Sequence, residues 1–228
     1  MRRVLKNLAA IFLVPLTKWY LRKERRYSYQ GINVIVFPGV FHPGIFHSTS
    51  LILKYLNEQD LTNKKVIEIG SGTGLISIRA AKANASVTAT DLSLTAIRNT
   101  ALNAKLNKAK ISVVHSDLFT NVEKTLFDWI IINPPYYDKD PKKDEDLAWY
   151  CGGNFEYFQK LFAELKSFMS PSTEVIMVLT KGCDLKKIFE LGKKAEFQFE
   201  LLKEKNVFFD EKDYLYRIRS KAFELSQT

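Results

Sequence analysis

Hydrophobic and polar positions change rhythm twice along the chain. From Lys64 onward, short apolar runs alternate with stretches of helical periodicity. Residues 66–69 read as a strand, followed by a glycine turn and a helix near 75–83. A second strand over 86–90 ends at Asp91, and Ser93 is placed to cap a helix over 94–106. A third strand, 111–114, ends near Asp117. A fourth, 128–132, is apolar throughout Trp129-Ile130-Ile131-Ile132, which predicts a central strand buried on both faces. An amphipathic helix over 155–169, a strand over 174–179 and a helix over 184–194 follow. Two antiparallel strands near 197–203 and 214–219 close the chain.

Upstream the grammar differs. Ile32 to Phe37 is β-rich and broken by Pro38-Gly39, and Ser48 or Ser50 offers a cap to a helix through Leu51, Ile52, Tyr55 and Leu56. The charged stretch 137–149 reads as a mobile lid or loop. Strand-helix repetition with a closing antiparallel pair predicts an α/β fold, a mostly parallel sheet with helices on both faces. Ligands on such sheets bind beyond the carboxyl ends of the strands, where strand order reverses.

Charge divides the chain into an arm, residues 1–30, and a body, residues 31–228. The arm holds eight basic side chains against one acid, so it carries +7 of the net +9 and the body only +2. A basic pI therefore says little about the body's own partners. In the arm, Leu5, Leu8, Phe12, Leu16 and Trp19 share helical spacing, with Pro15 placed to kink the helix. Its apolar run is too short to span a bilayer, and no small-residue cleavage site follows it. Packing on the body is the leading expectation, ahead of contact between residues 1–26 and an anionic membrane surface or a grip on nucleic acid.

Cys151 and Cys183 form no C-x-x-C pair, and His42, His47 and His115 show no ligand spacing. Neither a disulfide framework nor a metal site is expected, and a reducing cytoplasm is the expected setting. Overall composition, 46% hydrophobic and 26% charged, is that of an ordinary globular protein.

The chemistry concentrates at strand ends. Glu68-Ile-Gly-Ser-Gly-Thr-Gly74 feeds an acid into a turn where Gly70, Gly72 and Gly74 let the backbone bend sharply, with Ser71 and Thr73 between them. A dinucleotide fingerprint would place its third glycine at position 75, which is Leu. Asp91 suits a ribose, whose two hydroxyls a carboxylate can accept. Asp117 suits an adenine amino group. Three such features in order point to a nucleoside-type cofactor. Asn133-Pro134-Pro135-Tyr136 then presents an amide and an aromatic ring on a turn stiffened by two prolines. An amide or aryl amine nitrogen is a poor nucleophile because its lone pair is delocalised. Accepting both its N–H protons, at the Asn133 side-chain oxygen and the Pro134 carbonyl, would hold such a nitrogen, with Tyr136 stacking on the planar group.

With these motifs the chain resembles class I S-adenosylmethionine-dependent methyltransferases, and more narrowly the HemK-type N-methyltransferases and their Asn-Pro-Pro-Tyr relatives acting on RNA or DNA amines. Residues 31–220 carry the resemblance, including the Gly152-Gly153 pair ahead of a helix. It implies a Rossmann-like, doubly wound, seven-stranded sheet with an antiparallel closing strand. It also implies S-adenosylmethionine as cofactor and S-adenosylhomocysteine as product. Glu68 to Gly74 would wrap the cofactor, Asp91 and Leu92 would meet its ribose, Asp117 and Leu118 would frame adenine, and Asn133 to Tyr136 would hold the target nitrogen. A protein glutamine side chain is the expected acceptor. An exocyclic amine of RNA or DNA is the alternative, and a non-catalytic module retaining the fold is a third reading. Release-factor enzymes of this type carry an N-terminal helical substrate domain, and an acidic segment where this chain has Phe41-His-Pro-Gly-Ile-Phe-His-Ser-Thr-Ser50. The resemblance thus bears on the chemistry more than on a release factor as substrate.

Overall fold

The structure, a computed structural model, describes residues 20–207 and 211–224. The amphipathic helix expected over residues 5–19 lies outside them.

Seven strands form one sheet in the order β5-β4-β3-β6-β7-β9-β8. These are β3 (Lys65–Ile69), β4 (Ser86–Asp91), β5 (Ile111–His115), β6 (Trp129–Ile132), β7 (Glu174–Thr180), β8 (Phe197–Val207) and β9 (Glu211–Ser220). β3 to β7 run parallel, and β9 enters antiparallel between β7 and β8. The doubly wound sheet with an antiparallel closing strand is the expected fold. β6 is buried along its whole length, as its unbroken apolar run required. Order builds outward from β3 to β5, then returns to the other side of β3 with β6. The crevice between β3 and β6 is therefore the switch point.

Helices cover both faces: α1 (Ser48–Leu56), α2 (Leu75–Lys82) and α3 (Leu94–Leu106) on one, α4 (Glu156–Leu165) and α5 (Leu185–Lys194) on the other. Alternate residues of β6 separate accordingly. Ile130 and Ile132 pack with Phe158, Leu161 and Phe162 of α4, while Trp129 and Ile131 join Ile52 and Leu56 of α1. α1 starts at Ser48 after His47, which offers no side-chain cap; the Ser50 hydroxyl instead donates back to the His47 carbonyl.

A two-stranded hairpin, β1 (Arg25–Tyr29) and β2 (Ile32–Val36), stands outside the sheet. It takes residues 25–29 across the expected arm–body boundary at residue 30. Gln30 and Gly31 both have positive φ, 46° and 80°, the geometry of a tight hairpin turn. Among the described residues the other edge of β2 meets no strand but a column of asparagines along α3 and its C-cap. Asn107 Oδ1 accepts from Asn33 N–H, Asn103 Oδ1 from Ile35 N–H and Asn99 Oδ1 from Phe37 N–H, at 3.2, 2.8 and 3.0 Å. Their amide nitrogens donate to the Asn33 and Ile35 carbonyls. Four helical residues rise about 6.0 Å, and two strand residues about 6.6 Å. Asparagines spaced by four can therefore serve alternate residues of an extended strand.

Candidate active site

The site grows from the turn after β3. Gly70 N–H and Ser71 N–H both donate to the Thr90 carbonyl at 2.9 Å, folding the chain back over the end of β4. Gly70, Gly72 and Gly74 all have positive φ. Gly74 is the most constrained: at φ 73°, an added Cβ would sit 2.8 Å from Thr100 Cγ2 and 3.2 Å from Thr100 Cα. The loop is braced by Thr100, whose hydroxyl bonds Ser71 Oγ at 2.9 Å and donates to the Gly72 carbonyl at 3.1 Å. Asn103 holds the Thr73 carbonyl at 2.9 Å. One side-chain column thus ties the glycine loop and the hairpin to the same helix.

Two acids underlie the loop. Glu68 is buried and accepts from both the backbone N–H and the hydroxyl of Ser77. Burial pushes it up to about 8 despite those bonds. Asp91 accepts from Gly72 N–H and Ser93 N–H, each at 2.9 Å, one through each oxygen. Burial raises Asp91 to about 6, with the two backbone bonds opposing and Asp144 adding to the rise. Each oxygen keeps a lone pair for another donor.

Asp117 is half-exposed, and its Oδ2 accepts from Lys160 Nζ at 2.6 Å. Lys160 reaches it from α4, so the expected adenine acceptor already carries a cation partner. The sequence reading did not identify that cation. Leu118 is buried with φ 53°, a left-handed conformation that costs a branched side chain energy and is sustained by its place in the core. Leu92 stands 43% exposed at the mouth.

Across the switch point, β6 delivers Asn133. The Tyr136 hydroxyl donates to Asn133 Oδ1 at 2.6 Å, fixing the plane of the amide. Asn133, Pro134 and Pro135 line the cavity; Tyr136 does not. The stacking expected of Tyr136 is therefore corrected. Its N–H and that of Tyr137 both donate to the Trp149 carbonyl, at 2.9 and 2.8 Å, and the buried Tyr136 side chain joins the hydrophobic core on the α4–α5 face of the sheet. Burial holds its hydroxyl well above the usual phenol range, so it stays a donor.

The stretch expected as a lid is a folded cover. A short 3-10 helix, Asp144–Ala148, forms within it, and Ser93 Oγ donates to Asp144 Oδ2 at 2.7 Å. Phe41, Phe46 and Trp149 pack with ring centroids 4.7–5.2 Å apart, joining the segment before α1 to the end of the cover. Beneath lies a cavity of about 290 Å³. It gathers the glycine loop, Asp91, Asp117 and Asn133 on one wall system, as the strand-end placement predicted. Glu68, Ser71, Thr73, Leu92 and Leu118 also reach it. Among the described residues no cluster of acids, histidines and cysteines could hold a metal, and no helix is long and apolar enough to cross a membrane.

The sequence profile of the methyltransferase small domain family matches residues 31–208. The chain belongs to this family. It is an S-adenosylmethionine-dependent methyltransferase of class I. A Methanocaldococcus jannaschii protein, provisionally named a protein N5-glutamine methyltransferase, is 36% identical over 183 residues, 75% of this chain and 90% of that protein. Ribosomal RNA small subunit methyltransferase C of Actinobacillus pleuropneumoniae is 31% identical over 117 residues, 50% of this chain but 35% of that protein. This methyltransferase thus aligns with about a third of its RNA-modifying relative. The structure of the E. cuniculi Mtq2-Trm112 complex superposes with a TM-score of 0.61 at 18% identity, covering 80% of this chain and 99% of that one. At that identity the likeness concerns the fold.

Proposed function

We propose that this methyltransferase moves a methyl group from S-adenosylmethionine to a planar nitrogen, and that the acceptor is a glutamine side chain of a protein. One observation carries the reading: Asn133 Oδ1, locked by Tyr136 at 2.6 Å, shares a cavity with the glycine loop and Asp91. The residues present fit the cofactor. A Cβ-free cradle, a carboxylate with spare lone pairs and a pocket near the lower end of the ligand-sized range meet in one place. In this reading Glu68 to Gly74 seat the amino-acid end, Asp91 and Leu92 meet the ribose, and Asp117 and Leu118 frame the adenine. The cofactor supplies an electrophilic methyl group on a sulfonium.

The protein's part is to bind and orient. Asn133 Oδ1 keeps a lone pair after accepting from Tyr136, and among the described residues no donor occupies the Pro134 carbonyl. Together they accept the two N–H protons of a primary amide and draw its lone pair out of conjugation. Tyr136 acts through Asn133 as a positioning residue. The cover formed by Asp144–Ala148 contributes Asp144, Leu147 and Ala148 to the wall of the same cavity. The relative named for N5-glutamine methylation, matched over nine-tenths of its length, favours a protein acceptor.

Tritiated S-adenosylmethionine incubated with protein and extract, split into polypeptide and RNA, tests this. Label is expected in polypeptide and recovered as N5-methylglutamine. Asn133→Ala should cut turnover by about 100-fold or more while leaving cofactor affinity within about twofold. Unchanged turnover would remove Asn133 from the chemistry. The kinship with the ribosomal RNA enzyme supports a second reading, an exocyclic base amine. Label in RNA alone, with acceptor binding that collapses as salt rises, would replace the glutamine assignment with that one.

A further inference from the structure

Tyr157 is the second residue of α4, and it was not among the residues expected to form the site. Its ring lines the cavity and is held edge-on against the fully buried Phe158, centroids 5.3 Å apart. The Tyr157 backbone N–H donates to the Cys151 carbonyl at 3.0 Å, which fixes where the side chain begins. The hydroxyl is shielded from solvent, yet among the described residues it makes no hydrogen bond. A buried O–H without a partner is costly, so such a group in a binding cavity marks a contact that a ligand completes.

The groups around it indicate which part of a ligand it meets. Burial raises the Tyr157 hydroxyl far above the usual phenol range, and Asp91, Asp117 and Cys151 add to the rise. It therefore remains a donor at any working pH. Asp91 and Asp117 are acceptors and can read only donors: ribose hydroxyls and an adenine amino group. Adenosine also presents acceptors, its ring nitrogens and ribose oxygens. A donor in the wall that Asp91 and Asp117 share is what the acidic half of the pocket lacks. Lys160, the nearby cation, is engaged by Asp117 and by Thr120 Oγ1 at 2.9 Å.

Building on the cofactor reading above, we propose that Tyr157 reads the nucleoside: its hydroxyl donates a hydrogen bond to an acceptor atom of the adenosine moiety, between the ribose-side Asp91 and the adenine-side Asp117. The assignment concerns binding and leaves the methyl acceptor untouched. It makes Tyr157 a donor that complements two acids, a role no glycine-loop residue fills.

Tyr157→Phe keeps the ring and removes only the hydroxyl, so the fold is retained. Calorimetric titration of the full chain with S-adenosylhomocysteine and, separately, with adenosine is the test. The variant should bind both about tenfold more weakly, the worth of one buried hydrogen bond. Its ligand-free melting temperature should not fall, because the hydroxyl bonds nothing in the protein. Unchanged affinity for both ligands would overturn the proposal. Weakened binding of S-adenosylhomocysteine with adenosine unaffected would also overturn it, by moving the contact to the amino-acid end. A lower melting temperature with unaltered affinity would make the hydroxyl structural. If the wild-type chain bound neither ligand, the cofactor reading itself would fail and take this assignment with it. Those outcomes are separable because the first three require a wild type that binds.

Discussion

Asn103→Ala should cost far more than its neighbour Asn107→Ala, although both remove an asparagine from the same column on α3. Asn103 is fully buried and makes three bonds: it accepts from Ile35 N–H at 2.8 Å and donates to the Ile35 and Thr73 carbonyls at 2.8 and 2.9 Å. After truncation the Ile35 carbonyl keeps Asn99 Nδ2 at 2.8 Å. The Ile35 N–H and the Thr73 carbonyl lose their partner. Leaving a buried polar group unpaired costs about 1–3 kcal/mol, so two such groups predict a loss of roughly 3–4 kcal/mol once partial hydration of the half-buried Ile35 is allowed for. Asn107 binds Asn33, whose backbone is exposed, and water replaces it there at a cost of about 1 kcal/mol or less. Urea unfolding of both variants, with unchanged m-values as the sign of intact two-state behaviour, gives the two numbers directly. The reasoning also predicts weaker cofactor binding for Asn103→Ala alone, since Thr73 belongs to the glycine loop. Equal costs for the two variants would refute it, because the argument rests on burial and not on the count of bonds.

Two more outcomes follow from the site. On the proposed cofactor reading Asp91 must be ionised to accept both ribose hydroxyls, and it is raised to about 6, so S-adenosylmethionine affinity should be full near pH 8 and fall roughly tenfold by pH 5. Raised acids favour the protonated fold, so the ligand-free protein gains stability over the same descent. Calorimetry across that range, with Asp91→Asn expected to flatten the pH dependence, checks the sign; affinity that rises on acidification would contradict it. Gly74→Ala combines a left-handed residue with a Cβ 2.8 Å from Thr100 Cγ2 and 3.2 Å from backbone that cannot yield. It should destabilise by about 3 kcal/mol in chemical denaturation, and a cost under about 1 kcal/mol would mean the loop relaxes freely.

The parts of this molecule that a linear reading found are those whose causes are local. β6 is apolar at every position because both faces are covered, and acids at the ends of β4 and β5 are visible as punctuation after apolar runs. β1 escaped because its inward face is made of Tyr27 and Tyr29, amphipathic rings that pack only part-buried on the core between Arg26 and Ser28, and its turn uses Gln30 at a positive φ where Asn is the familiar signal. The cover escaped for a different reason. Its order comes from the Ser93–Asp144 bond across 51 positions and from two backbone bonds to Trp149, none of which leaves a periodic trace. The asparagine column did leave one, at positions 99, 103 and 107, but its meaning needed the facing strand edge.

This division runs through the site as well. The glycine-loop side is built by backbone turns and acids at strand ends, so a few contiguous residues declare it. Around Asn133 the parts come from afar: Phe41 and Phe46 before α1 pack on Trp149 at the end of the cover, more than a hundred residues away, and the Tyr136 hydroxyl holds the amide. A motif can therefore report the chemistry while remaining indifferent to the substrate. Phe41 lines the cavity that holds Asn133, and Trp149, packed on it, is bonded through its carbonyl to the turn that presents the amide. On the proposed reading, variants at the packing between these two distant segments should shift acceptor selectivity before they shift cofactor affinity.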